Sequence, residues 1–69
     1  MAINIRHTYS TNVEITFYGE DGITLRCRDC GQMDDIAEQV CEVIIKHNFS
    51  YADICSVNTG ELMMIVERT

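Results

Sequence analysis

A change in hydrophobic period near residue 32 constrains the fold of this chain more than any other feature. Before it, apolar and polar residues alternate in residues 3–7, 13–17 and 23–27, with the period of two that is typical of half-buried strands. After it, apolar residues recur at the spacing of one helix face, at Met33, Ile36, Ala37, Val40, Cys41 and Ile44. The sequence therefore predicts three strands followed by an amphipathic helix over residues 33–47.

Two further strands are predicted after the helix. Residues 54–57 and 62–66 flank the segment 58–61, whose Asn, Thr and Gly are typical of a hairpin turn. Residues 62–66 are apolar on both faces, which suits a central strand or one covered on both sides by helix, sheet or a partner. The predicted fold class is α+β, a small antiparallel sheet with βββαββ order and one amphipathic helix packed on one face. Without proline or a low-complexity stretch, the 69 residues predict a single domain, 1–69.

The register of the first three strands follows from the rule that directly opposed residues share a face of the sheet. The first strand is predicted to pair with the second so that His7 lies opposite Val13. The second is predicted to pair with the third so that Val13 lies opposite Cys27. In this register Ile23 and Leu25 face the core together with Val13.

Cys27 and Cys30 have the C-x-x-C spacing at which two thiolates reach one tetrahedral zinc ion. The predicted register places His7 in the row of Cys27, so His7 is the best third ligand of such a site and Cys55 the fourth. The alternative interpretation is that Cys27 and Cys41 are small buried hydrophobic residues, Cys30 a loop residue and His7 a partly buried ring. Because only two residues have metal-site spacing, we expect no cofactor and keep structural zinc as an alternative.

Charge is divided between two predicted faces. The formal net charge of −6 disfavours nucleic acid and anionic lipid and favours a protein partner. The outward side of the helix, here called the acidic face, carries Asp34, Asp35, Glu38 and Glu42. The outer side of the sheet, here called the Arg-rich sheet face, carries Arg6, Arg26, Arg28 and Tyr18. Each also fits an ordinary solvated surface, with cross-strand ion pairs around Glu14 on the sheet.

The sequence lacks recognisable catalytic and targeting motifs, so we expect neither an enzyme nor a membrane protein. The chain has no recognisable nucleophile–base arrangement, phosphate-binding loop or HExxH motif. It has no secretory leader pattern and no run near the roughly 18 apolar residues of a membrane span, so we expect a cytoplasmic protein. Its size, acidity and βββαββ order resemble those of small regulatory proteins and phage-encoded inhibitors.

These features lead to three functional hypotheses. The first is a small acidic, non-catalytic protein-interaction module, a regulator or inhibitor that binds a larger protein through the acidic face. The second is a nucleic-acid or anionic-ligand binder that uses the Arg-rich sheet face, and the third is a zinc-stabilised domain. The first predicted strand pairs on one side only, so its edge, with Ile3 and Ile5, also predicts a homodimer.

Overall fold

A computed structural model describes residues 11–68 as an antiparallel four-stranded sheet with one helix on one face. The elements in chain order are β1 (Thr11–Tyr18), β2 (Thr24–Gly31), α1 (Met33–His47), β3 (Tyr51–Ser56) and β4 (Leu62–Glu67). The strand order across the sheet is β2-β1-β3-β4. This arrangement confirms the α+β class, the bounds of the helix and the hairpin that follows it. The first predicted strand, with Ile3, Ile5 and His7, lies outside the described residues.

The core lies between α1 and the two central strands, β1 and β3. Its buried side chains are Val13, Ile15, Phe17, Ile36, Val40, Ile44, Ala52 and Ile54. Asp34 and Asp35 lie in the first turn of α1, and Lys46 and His47 lie in its last turn, as the helix dipole favours. The helix ends where Asn48 adopts the left-handed conformation with a φ of 60°, a common helix terminator.

β2 is an edge strand of the described sheet, and α1 does not cover it. Leu25 and Cys27 lie opposite Phe17 and Ile15, so they belong to the helix-facing side of the sheet, as predicted. Leu25 is nevertheless 49% exposed, Ile23 is 61% exposed, and Cys27 is exposed. The prediction that these residues help to form the core was wrong, because the buried helix residues pack on β1 and β3.

The β1–β2 hairpin is shifted by two residues from the predicted register. Val13 lies opposite Asp29, and Cys27 lies opposite Ile15. A shift of two residues keeps every side chain on its predicted face because side chains alternate with a period of two. The shift also extends β2 as far as Gly31, which pairs with the start of β1.

The turn between β1 and β2 explains this shift. The Gly19 amide donates to the carbonyl oxygen of Ile23 at 2.9 Å, and the Gly22 amide donates to that of Gly19 at 3.2 Å. Three loop residues remain, and the last of them, Gly22, has a φ of 81°. In the predicted register with a three-residue loop, Asp21 would take this left-handed position, which glycine adopts at far lower cost.

Both edges of β1 are occupied by strands of the described sheet. β2 pairs along one edge, and β3 pairs with residues 13–18 along the other. The predicted pairing of residues 13–17 with residues 3–7 was therefore wrong, since β1 has no free edge there. β1 pairs instead with β3, a strand that follows the helix in sequence.

β4 forms the second edge of the described sheet. Met64 and Val66 are half-buried against the core, whereas Leu62, Met63 and Ile65 are 55%, 41% and 49% exposed. Within residues 11–68 no strand lies on the outer edge of β4, so the predicted central position is not shown by the described sheet. The alternative that a partner covers this apolar run stays open.

Candidate interaction surfaces

The acidic face is a continuous exposed surface of α1. The side of the helix that carries Ile36, Val40 and Ile44 is buried on the sheet. All four predicted residues of the acidic face lie on other sides of the helix and are exposed: Asp34, Asp35, Glu38 and Glu42. Both ion pairs within residues 11–68 are formed by Glu14. In this part of the chain, none of the four carboxylates of the acidic face has a cationic side chain within 4.0 Å. These four carboxylates are therefore exposed to solvent and not neutralised by a cation of the described residues.

The Arg-rich sheet face is partly neutralised by Glu14. The two carboxylate oxygens of Glu14 lie 3.5 Å from the Nε atoms of Arg26 and Arg28, respectively. Glu14 lies directly opposite Arg28, whereas the predicted register, with Val13 opposite Cys27, would have set Glu14 opposite Arg26. Because both arginine side chains are about 70% exposed, solvent screens these pairs and each contributes at most about 1 kcal/mol. Arg6 lies outside the described residues.

Tyr18 forms an aromatic pair with Tyr51 at the other end of the same face. The residues are directly opposed on β1 and β3, and their rings stack with centroids 4.6 Å apart and planes 17° apart. Desolvation, and then the hydrogen-bond acceptor and negative charge of Asp53, raise the pKa of Tyr18. Tyr51 could not be predicted from the sequence because the β1–β3 pairing, which joins residues on either side of the helix, carries no local sequence signal.

The C-x-x-C cysteines lie on opposite sides of β2. Residues three apart on a strand point to opposite faces, so Cys27 faces the helix side whereas Cys30 lies on the outer side, opposite Asn12. Cys55, on β3, lies opposite Glu14 on the outer side. The structure therefore does not bring Cys27 and Cys30 to one point. His7 lies outside the described residues.

The alternative interpretation of the cysteines also needs correction. Cys30 belongs to β2 instead of a loop, because β2 continues to Gly31. Cys27 is exposed and Cys41 is half-buried, so neither is a fully buried hydrophobic residue. Partial desolvation, and then the carboxylate of Asp29, raise the pKa of the Cys27 thiol. Within residues 11–68, no three His, Cys, Asp or Glu side chains form a group that could hold a metal ion.

A shallow groove separates α1 from the uncovered strand β2. It has a volume of about 290 Å³, and its walls include Leu25 and Cys27 from β2 and Val43 and His47 from α1. The groove exists because the helix packs over the central strands, a placement that the hydrophobic pattern of β2 did not predict.

Comparisons with protein-family models, curated proteins and solved structures found no match to this chain. In the part of the chain that the structure describes, the helix is too short and too polar to cross a membrane.

Proposed function

We propose that this chain is a small, non-catalytic protein-interaction module, a regulator or inhibitor that binds a larger basic protein through the acidic face. The observation that supports the proposal is the exposure of all four carboxylates, from Asp34 to Glu42, on one side of a packed helix. No cation of residues 11–68 lies within ion-pair distance of them. A partner can therefore approach this charge without first displacing an internal salt bridge.

The separation of charge between the two faces adds to this argument. Arg26 and Arg28 lie on the outer side of the sheet, on the side away from the helix. A basic partner that approaches α1 therefore meets carboxylates while the arginines lie behind the sheet. Screening acts over about 10 Å at 0.1 M salt, so the near face dominates the encounter and raises its rate.

A double charge reversal, Glu38→Lys with Glu42→Lys, tests the proposal. Both side chains are exposed, so the fold should be unchanged. The association rate with a synthetic lysine- and arginine-rich peptide, measured by stopped-flow fluorescence at low salt, should fall by about tenfold or more and lose its salt dependence.

The matched control is Glu20→Lys with Glu61→Lys, which changes the net charge equally at two exposed turn positions. The control should bind faster than the helix variant. Equal slowing by both variants would mean that total charge, and not the acidic face, governs binding. Unchanged rates in both would show that the helix face is merely solvated.

Single-strand nucleic-acid binding at the Arg-rich sheet face is the second candidate function. The Tyr18–Tyr51 stack favours it, because aromatic side chains on an open sheet offer a surface on which bases stack. Glu14 between Arg26 and Arg28 weighs against it. Retention of a single-stranded oligonucleotide at low salt, lost on Tyr51→Ala, would favour this function over the first.

A further inference from the structure

In the sheet formed by residues 11–68, β4 combines an apolar sequence with an edge position, a combination that sheets usually avoid because it invites pairing with another chain. Residues 62–66 contain no charged side chain and no proline. No strand of residues 11–68 pairs with the outer edge of β4. Leu62, Met63 and Ile65 are each at least 41% exposed, so apolar surface is available beside the unpaired main chain.

The orientation of the main chain shows which groups of β4 face outward. The Arg68 amide donates to the carbonyl oxygen of Ser50 at 3.1 Å, on the β3 side. The main-chain amide and carbonyl groups of successive residues in an antiparallel strand point alternately to its two edges. Those of Val66 and Met64 therefore also face β3. The amide and carbonyl groups of Ile65 and Glu67 therefore point away from the sheet, where a further strand would bind them.

We propose that β4 pairs antiparallel with β4 of a second copy of this chain, in a register centred on Ile65, so that the described four-stranded sheets of the two copies become continuous. Ile65 then lies opposite its own counterpart in a hydrogen-bonded pair. On the helix side, Met64 lies opposite Val66 of the second copy, which joins the two cores across the edge. The regular pairing of the two copies ends at Met63, where the register of β4 with β3 shifts at a bulge.

The distribution of charge favours β4 as the contact strand and favours the register centred on Ile65. The copies carry −6 each, so a contact between them is favoured where charge is absent, as in residues 62–66. A register centred on Met64 would set Glu61 opposite Glu67 of the second copy at both ends, and like charges directly opposed are destabilising. Centring on Ile65 removes that opposition.

The other edge strand, β2, is a poorer surface for self-pairing. Its outer side carries Arg26 and Arg28, both highly exposed. An antiparallel pair of β2 strands centred on Arg26, Cys27 or Arg28 would set an arginine opposite an arginine. A second copy therefore fits β4 better than β2.

Sedimentation equilibrium of the full chain under reducing conditions, over a wide concentration range, tests the proposal. We expect a monomer–dimer equilibrium that salt strengthens, since it screens the repulsion between two acidic copies. Ile65→Lys sets two cations opposite each other at the centre of the contact and should weaken dimerisation by at least about tenfold. The control, Ile23→Lys, changes a similarly exposed isoleucine far from β4 and should leave dimerisation unchanged.

Amide hydrogen exchange of the unsubstituted chain provides a test that does not depend on the folding of a variant. The Ile65 amide should exchange more slowly as the concentration rises, whereas the Val66 amide, already facing β3, should change far less. A monomer at every concentration would overturn the proposal, as would equal weakening by Ile65→Lys and Ile23→Lys. Protection of Ile65 that is independent of concentration would also overturn it, because a segment of the same chain would then cover the edge.

Discussion

Replacing Val40 with aspartate tests whether the helix stripe is the core of this fold. Val40 is 2% exposed and packs within a cluster that includes Ile15 and Ile44. No polar side chain is buried among residues 11–68. The new carboxylate would therefore have no hydrogen-bond donor side chain in the core to compensate its desolvation.

The expected loss is a large part of the stability of the domain. Losing the burial of a valine side chain costs about 1.5 kcal/mol or more, and burying an unpaired polar group adds about 2 kcal/mol or more. A folded chain of 69 residues has an expected free energy of unfolding of about 3–10 kcal/mol. Val40→Asp should therefore lose at least about a third of its free energy of unfolding near neutral pH, as measured by circular dichroism during urea and thermal denaturation.

The pH dependence of this loss has a definite sign. Burial would raise the pKa of the introduced carboxyl in the folded state above its unfolded value of about 3.9. The folded state then binds more protons than the unfolded state between the two pKa values, so stability falls as pH rises through that window. The difference between parent and variant should thus be smallest below the unfolded pKa and reach its maximum above the folded pKa.

Ile45→Asp is the matched control, since Ile45 lies on the same helix and is 64% exposed. It should change the free energy of unfolding by about 0.5 kcal/mol or less. A Val40→Asp protein that melts like the Ile45→Asp protein would show that the stripe does not form the core.

Three smaller perturbations test the turn and the charged groups of β1 and β2. Gly22→Ala should cost about 1–2 kcal/mol in urea denaturation because φ is 81° there, whereas Gly31→Ala, with no positive φ, should be nearly neutral; equal effects would contradict the turn argument. Glu14→Gln should lower stability by at most about 2 kcal/mol, about 1 kcal/mol for each of its two solvent-screened ion pairs, and a larger loss would show that they are structural. Asp29→Asn should speed alkylation of Cys27 near pH 8, followed by peptide mass spectrometry, because it lowers a raised pKa and increases the thiolate fraction; an unchanged rate would rule out that charge effect.

The helix could be predicted because its signals are local. The spacing of Ile36, Val40 and Ile44, and an asparagine that tolerates a left-handed conformation at position 48, lie within one short segment. The faces of β1 and β2 were predictable for the same reason, since alternation identifies which side chains share a face. Burial was not, because Leu25 alternates like Phe17 and yet lies on a strand that the helix does not cover.

Strand register and strand order depend on the exact position of a turn and on pairing between distant segments, which local sequence patterns do not determine. Moving the turn by one residue, so that Gly22 instead of Asp21 takes the left-handed position, shifted every cross-strand pair of the hairpin. Sequential strands usually lie next to each other, and this rule favoured a first strand on the edge that β3 occupies. The Tyr18–Tyr51 stack follows from the β1–β3 pairing and was therefore missed with it.

Added salt should change the strength of the two proposed contacts in opposite directions, so salt titrations of one protein can distinguish them. Binding of a basic partner by Glu38 and Glu42 is an attraction between opposite charges, so added salt weakens it. Self-association through Ile65 joins uncharged strands of two copies that carry −6 each, so added salt relieves repulsion and leaves the apolar contact intact. A protein in which salt shifts both equilibria in the same direction would require one of the two surfaces to be reassigned.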